Sequence, residues 1–256
     1  KDEVYELLEV DPEKYKADED MTHAIEKVKR PYKKILKEVL GQSTTPLMRY
    51  YIIETPMDNL ITDAVMWKFK TDIAVSNGFR FCPPLIPDPK TGFADITREY
   101  LWSMLPVDSE VKVADVKGKQ ILGWLEKELE NAFSKDANKR FGGWFVRFNG
   151  MKVTFTIGNE KGKRVQEVCI KDQPLELDKT YTMVACEREG DPDNLLCRMP
   201  NVHNPVKQGI FLHSVLEDYL AEFSPVSPKL EGRAVATDAP ADLLTQALAG
   251  IDYQFR

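Results

Sequence analysis

The stretch T-D-I-A-V-S-N-G-F-R-F, residues 71–81, decides how the rest of the chain is interpreted. It begins with a short apolar run, Ile73 to Val75, which is typical of a buried strand. Ser76, Asn77 and Gly78 follow, and residues of these types favour turns and tolerate positive φ. The stretch therefore predicts a buried strand that ends in a turn.

An arginine between two aromatic residues follows this turn directly. Ligands of α/β sheets bind in the crevice outside the C-terminal ends of the strands. A guanidinium there can hold a phosphate, sulfonate or carboxylate through two parallel hydrogen bonds. We therefore predict that Arg80 binds an anion, with Asn77 beside it and with Phe79 and Phe81 as walls. The alternatives are a surface ion pair for Arg80, core packing of the phenylalanines and a turn-forming role for Asn77.

Composition narrows the range of functions. The chain has 256 residues, of which 43% are hydrophobic, so it can bury a large core. Its net charge of −6 gives no reason to expect nucleic acid or an anionic membrane as a partner. The sequence contains no apolar run long enough to span a membrane. The four cysteines lack C-x-x-C spacing, which argues against zinc, and Cys186 and Cys197 are either bridged or free.

Two helices are predicted before the strand at residue 73. Between residues 20 and 39, apolar residues recur at steps of four and three, as on one face of a long helix, and Pro31 should kink or divide it. Gly41 is interpreted as the stop of this helix. The basic residues of this segment are interpreted as a solvated face. Thr55-Pro56-Met57-Asp58 has the pattern of a helix start, with Thr at the N-cap and Pro at the first helical position.

The remaining pattern predicts a mixed α/β fold. A strand at 48–53, the helix after Thr55 and the strand at 73 alternate as a β-α-β unit, which favours some parallel pairing. Asn149-Gly150 predicts a hairpin between strands at 144–148 and 151–157. A turn is expected at 42–46, and residues 187–204 are interpreted as a long irregular loop, which is usually functional or mobile.

Seven short motifs occur in the order in which the C-terminal domain of the 5′-nucleotidase family carries them, so that residues 20–236 resemble that family. They are E-x-x-x-x-N-L-I-x-D-A at 54–64, Asn-Gly with an arginine at 77–80, Asp-Ile-Thr at 95–97, Leu-Pro at 105–106, a Gly-to-Glu helix motif at 118–126, Gly-Gly at 142–143 and P-L-x-x-x-K-x-Y at 174–181.

The resemblance implies a layered α/β/β/α-type domain with a mixed sheet at residues 41–237. Residues 1–40 would be an N-terminal arm and connector helix, and residues 238–256 a C-terminal tail helix. Such a domain binds the substrate of a two-metal hydrolase that acts on phosphate esters, of the 5′-nucleotidase or nucleotide-sugar hydrolase type. The resemblance also implies a role in nucleotide catabolism and a location in the periplasm or outside the cell.

The same resemblance implies that the metals lie elsewhere. Family members hold Mn, Zn or Mg in an N-terminal metallophosphoesterase domain with D-x-H and G-N-H motifs, which this chain lacks. Its three histidines, His23, His203 and His213, form no such motif. We therefore expect no catalytic residue and no cofactor in this chain, and little activity from the chain alone. The expected partners are the metallophosphoesterase domain and a small anionic substrate.

Two departures from the family pattern affect the expected substrate. Nucleotide-binding members stack the base between two phenylalanines, but Val107 replaces the first. The motif after the second is echoed only by Gly190-Asp191, so Asp191 becomes a candidate substrate ligand.

The arginine loop G-F-R-F is similar to that of thiosulfohydrolases of sulfur oxidation, as is F-V-R-F at 145–148, which makes Arg147 another candidate ligand. If that strand is regular, Trp144 and Arg147 lie on opposite faces, so at most one of them faces the site. A thiosulfohydrolase-like domain and a non-catalytic docking module are the alternative functions.

Overall fold

The computed structural model describes residues 11, 13–78 and 84–239. The predicted ligand Arg80, its neighbours Phe79 and Phe81, and the tail helix predicted beyond residue 239 lie outside the described residues. The chain divides into two units between Glu38 and Val39. The domain boundaries expected at residues 40 and 237 remain predictions.

The first unit is helical. It contains α1 (Glu19–Lys29), a 3₁₀ helix (Arg30–Tyr32) and α2 (Lys33–Leu36). The carboxylate of Asp18 caps α1 by accepting the Met21 N–H at 2.8 Å. Pro31 lies in the 3₁₀ segment, which confirms that it divides the predicted helix, since proline lacks the N–H that an α-helix interior needs.

The second unit contains four α-helices, one 3₁₀ helix (Ala137–Lys139) and thirteen strands among the described residues. The helices are α3 (Pro56–Phe69), α4 (Arg98–Met104), α5 (Gly118–Phe133) and α6 (Leu212–Phe223). The strands are β1 (Val39–Ser43), β2 (Ile73–Ser76), β3 (Ala94–Thr97), β4 (Glu110–Lys117), β5 (Arg147–Asn149), β6 (Met151–Phe155), β7 (Val165–Ile170), β8 (Gln173–Pro174), β9 (Thr180–Cys186), β10 (Leu195–Leu196), β11 (Met199–Pro200), β12 (His203–Phe211) and β13 (Ala234–Ala236).

Two sheets dominate this unit. The five-stranded sheet has the order β12-β4-β9-β2-β5, in which β2 and β9 are parallel and the other neighbours antiparallel. The four-stranded sheet has the order β13-β6-β7-β8, with β13 parallel to β6. Two small sheets pair β1 with β3 and β10 with β11. This mixed pairing confirms the predicted α/β class.

The side-chain alternation of β2 divides the core into two layers. Ile73 and Val75 belong to a cluster with α5 and the four-stranded sheet, whereas Ala74 packs in a second cluster with α3 and α6. The five-stranded sheet is therefore covered by apolar side chains on both faces, and the strand predicted at residue 73 is buried throughout.

The hairpin predicted at Asn149-Gly150 was wrong. The strand before it, β5, pairs with β2, and the strand after it, β6, pairs with β7 and β13, so the dipeptide joins two different sheets. Gly150 has φ of 80°, and a Cβ there would lie 2.1 Å from the carbonyl oxygen of Asp72. The glycine is needed for this close approach of two backbones rather than for a two-residue hairpin turn.

Strand predictions near residue 45 were also wrong. The strand expected at 48–53 is irregular backbone, and β1 occupies residues where a turn was expected. Gly41 was interpreted as a helix stop, but it lies within β1, where a Cβ would come within 3.2 Å of Leu220 on α6. Gly41 therefore allows the strand to approach α6 closely.

Candidate functional site

The N-terminus of α3 positions a buried carboxylate. Thr55 is the N-cap, as predicted, and its hydroxyl oxygen accepts the backbone N–H of Asp58 at 3.0 Å. The same hydroxyl donates to Asp58 Oδ2 at 2.7 Å. Because Pro56 fixes the first turn and Thr55 holds the Asp58 side chain, the carboxylate has one defined orientation.

Two arginines and a serine surround this carboxylate. Arg49 donates to Asp58 Oδ1 from Nη2 at 2.8 Å and from Nε at 3.2 Å, and the Ser76 hydroxyl donates to the same oxygen at 2.7 Å. The Nε of Arg147 lies 3.7 Å from Asp58 Oδ2. Burial by itself would raise the pKa of Asp58, but the two guanidinium groups and the serine hold it below its ordinary value.

A cavity of about 350 Å³ lies against this network. Its buried side is formed by Arg49 and Ser76, and Asn77, at the end of β2, also lines it. Residues 105–107 (Leu-Pro-Val) form one wall, and residues 186–189 form another. The cavity therefore opens where β2 ends, which is the place at which α/β sheets bind ligands.

The wall at residues 186–189 is held by a buried lysine. Lys112, which is 1% exposed, pairs with Glu187 at 2.9 Å and donates to the carbonyl oxygens of Asp193 and Leu195 at 3.2 and 3.4 Å. Lys207 pairs with the other oxygen of Glu187 at 3.0 Å. Burial acts to raise the pKa of Glu187, but the two ammonium groups hold it below its usual range. One ammonium group thus fixes both ends of the segment 187–196.

Of the predicted site residues that the structure describes, only Asn77 lies at the cavity, and Arg147 and Asp191 do not. Asn77 lines the cavity, and its carbonyl accepts the indole N–H of Trp144 at 2.7 Å. Arg147 lies beside Asp58 and donates to the carbonyl of Tyr51, outside the cavity lining. Asp191 also lies outside the lining, with one oxygen 3.9 Å from the Nε of Arg188. Their roles in substrate binding remain predictions.

Strand alternation does not separate Trp144 from Arg147. Because β5 begins at Arg147, Trp144 precedes the strand and the alternation does not apply to it. A Cβ at Gly78 would lie 2.7 Å from the Trp144 ring and 3.3 Å from Arg147 Nη1, so both side chains pack against the turn after β2. Gly78, with φ of 72°, leaves room for them.

Sequence reasoning missed Arg49 and Lys112. Arg49 falls in the segment that was interpreted as a strand, and no motif includes it. The available signal was Asp58, an acid in the first turn of α3. This turn is buried, and a buried carboxylate requires a cationic or hydrogen-bonding partner. Lys112 lies on the same face of β4 as the buried Ala114 and Val116, and a buried lysine likewise requires acceptors.

Cys186 and Cys197 are free thiols that line the cavity. Burial raises the pKa of each to about 12, so both remain protonated at neutral pH. Of the two possibilities left open by the sequence, the structure has the free cysteines.

The described residues do not fit a two-metal site. No group of three or more His, Cys, Asp or Glu side chains within residues 13–78 and 84–239 could hold a metal ion. None of the helices in this part of the chain is both long and apolar enough to cross a membrane.

Comparison with known proteins defines the class. The model of the family "5′-nucleotidase, C-terminal domain" matches residues 39–187, which is more than half of the chain. The chain therefore belongs to the 5′-nucleotidase C-terminal domain family. Protein 5NUC of Lutzomyia longipalpis is 27% identical over 246 residues, covering 84% of this chain and 41% of that protein.

Two solved structures share the fold. The 5′-nucleotidase precursor of Thermus thermophilus is 27% identical with a TM-score of 0.72, and the match covers 90% of this chain and 45% of that one. The sulfate thiohydrolase SoxB of Thermus thermophilus has a TM-score of 0.72 at 21% identity, covering 87% of this chain and 39% of that one. The chain thus spans less than half the length of these proteins.

Proposed function

We propose that this domain supplies the substrate-binding part of a metal-dependent hydrolase of the 5′-nucleotidase family, and that the cavity takes a small anionic substrate such as a phosphate ester. The observation that carries the proposal is the position of the cavity at the end of β2, with Asn77 in its lining. Arg80 follows Asn77 by three residues and is assigned as the anion-binding residue.

In this proposal the chain binds and orients the substrate. Arg49 and Ser76 give the cavity a rigid polar base, against which the bound anion would be oriented. Mn, Zn or Mg ions would belong to an N-terminal metallophosphoesterase domain of the whole protein and would supply activated water. Secretion to the periplasm or the cell exterior is part of the same proposal, because the name of one relative is that of a precursor.

A second candidate, thiosulfohydrolase-like activity on a sulfur anion, is favoured by one observation. None of the described residues that line the cavity is aromatic, and Val107, which replaces a stacking phenylalanine, is 69% exposed. Recognition of a nucleobase commonly uses aromatic stacking. A small anion needs no such ring, and the G-F-R-F loop points in the same direction.

The test uses the full-length protein with its metals bound. Nucleoside monophosphates, nucleotide sugars and thiosulfate-type conjugates are offered to the wild type, to Arg80→Ala and to a control, Arg140→Ala, whose side chain lies outside the cavity lining. Losing a charge-assisted anion contact should lower kcat/KM roughly tenfold to a hundredfold in Arg80→Ala. Arg140→Ala should match the wild type.

The preferred substrate then distinguishes the two candidates. Turnover of nucleotides supports the nucleotidase proposal, and turnover of sulfur anions supports the second. If metal-loaded protein turns over none of the substrates, the proposal is overturned and the domain is a non-catalytic binding or docking module.

A further inference from the structure

The imidazole of His213 connects three elements next to the cavity. His213 is the second residue of α6, and its Nε2 lies 2.7 Å from the carbonyl oxygen of Leu105. Its Nδ1 lies 3.5 Å from Asp108 Oδ2. Its ring stacks on Trp102 of α4, with centroids 5.7 Å apart and planes inclined by 13°. The ring therefore contacts α4 and both ends of the segment 105–108.

Backbone bonds attach the same segment to the start of α6. The N–H of His213 donates to Asp108 Oδ1 at 2.9 Å, and the N–H of Leu212 donates to the carbonyl of Ser109 at 3.0 Å. Leu105, Ser109 and Leu212 all line the cavity. The wall at 105–109 is thus fixed to α6 through the first two residues of the helix and the imidazole.

The acceptors around the ring define its proton positions. A carbonyl oxygen can only accept, so Nε2 carries the proton that points to Leu105. In the neutral ring, Nδ1 then presents a lone pair to the Asp108 carboxylate. Protonation replaces this repulsion by a second N–H aimed at a negative charge.

The other charged groups near the ring are already paired. Glu217, one turn further along α6, accepts from Arg98 of α4 at 2.8 and 3.0 Å. Arg98 and Trp102 on α4 therefore face Glu217 and His213 on α6 as two successive contacts. Asp108 is the charged group that the described contacts place directly at the ring.

We propose that His213 is a positioning residue that holds the 105–109 wall of the cavity against α6, and that protonation of its ring tightens this hold. The consequence for ligand binding rests on the function proposed above: ligand affinity should be higher at pH 5.5 than at pH 7.5.

The first experiment needs no ligand. Amide hydrogen exchange of Leu212 and His213 is measured by NMR between pH 5.5 and 7.5, as protection factors corrected for intrinsic exchange. In the wild type, protection should increase roughly two- to fivefold toward pH 5.5, the effect of a partly exposed ion pair.

Two variants separate this role from a merely structural one. His213→Gln keeps a donor for Leu105 but cannot be charged, so its protection factors should not change with pH. Asp108→Asn keeps an acceptor for the His213 N–H and should lose the pH dependence as well. Equal pH profiles in the wild type and His213→Gln, or unprotected Leu212 and His213 amides in the wild type, overturn the proposal.

The second experiment reports on the cavity. AMP affinity of the full-length protein is measured by calorimetry at both pH values, and the ratio of wild-type to His213→Gln affinity cancels the titration of the phosphate itself. The ratio should rise roughly two- to fivefold at pH 5.5. A constant ratio overturns the link to binding. If AMP does not bind at all, the function proposed above fails for nucleotides, while the exchange experiment still decides the role of His213.

Discussion

The base and the rim of the cavity use the same arrangement, a carboxylate between two cations, with different exposure. At the base, Asp58 lies between Arg49 and Arg147, and all three side chains are buried. At the rim, Glu187 lies between Lys112, which is buried, and Lys207, whose side chain is 51% exposed. The base is closed to water and its arginines also bind neighbouring groups. At the rim, one of the two cations is exposed to solvent, so separating the ion pairs there should cost less free energy than at the base.

The largest effect is expected at the base. Asp58→Asn removes the carboxylate that Arg49 pairs with and leaves a buried positive charge uncompensated, so the free energy of unfolding should fall by about 3–5 kcal/mol. Urea unfolding measures it. The matched control is Asp63→Asn on the same helix, which should cost about 1 kcal/mol because an asparagine keeps an acceptor for Arg233. Equal losses of stability in the two variants would show that the buried ion pairs of Asp58 contribute no more than the ion pair of Asp63.

The pH dependence of unfolding sharpens this comparison. The pKa of Asp58 is lowered in the fold, so its stabilisation is complete above the unfolded-state pKa of about 4 and is lost as the pH falls through the lower native value. Burial raises the pKa of Asp63 in spite of Arg233, so its ionisation reduces stability as the pH rises through that window. The loss of unfolding free energy caused by Asp58→Asn should therefore shrink in acid, and the loss caused by Asp63→Asn should grow.

An intermediate effect is expected at the rim. Lys112→Met removes the ammonium that binds Glu187, Asp193 and Leu195, which should lower stability by about 1–3 kcal/mol and speed limited proteolysis within residues 187–196. Lys207→Met is the control: its side chain is half exposed, so it should cost less and leave proteolysis nearly unchanged. Protection of residues 187–196 from protease in Lys112→Met would contradict the role given to this lysine.

The smallest effect on stability is expected at Val107. Because this side chain is 69% exposed, Val107→Phe should change the free energy of unfolding by less than about 0.5 kcal/mol. A ring at this wall should still raise AMP affinity roughly two- to tenfold through stacking. Leu177→Phe adds a ring at another exposed position, outside the cavity lining, and should not affect AMP. An unchanged affinity in Val107→Phe would argue against a nucleobase at this wall.

Local patterns predicted those parts of the fold that depend on neighbouring residues. The Thr55 cap, the buried strand at Ile73 and the division of the first helix at Pro31 were correct because each follows from contacts within one or two turns of chain. Asn149-Gly150 misled the prediction because the glycine is required by the approach of Asp72, far away in sequence. Gly41 misled the prediction for the same reason, because this glycine is required by the close approach of α6.

The site was less predictable than the fold. Asn77 was found because it follows a strand directly, whereas Arg49 and Lys112 acquire their roles from carboxylates that the fold brings beside them. Edge strand β12 was missed because its mostly exposed residues, which include Pro205, show no apolar alternation. No sequence pattern reports which distant carboxylate a cation will meet.

The anchoring of residues 187–196 has a consequence for engineering. Both ends of this segment are fixed by Lys112, whereas Arg188 is exposed and a Cβ at Gly190 would meet no atom within 4 Å. Its tip can therefore be lengthened, shortened or exchanged while the anchors keep their places, since loop closure costs little for each added residue. A library of tip sequences grafted between Glu187 and Asp193 would vary what the cavity accepts on an unchanged scaffold.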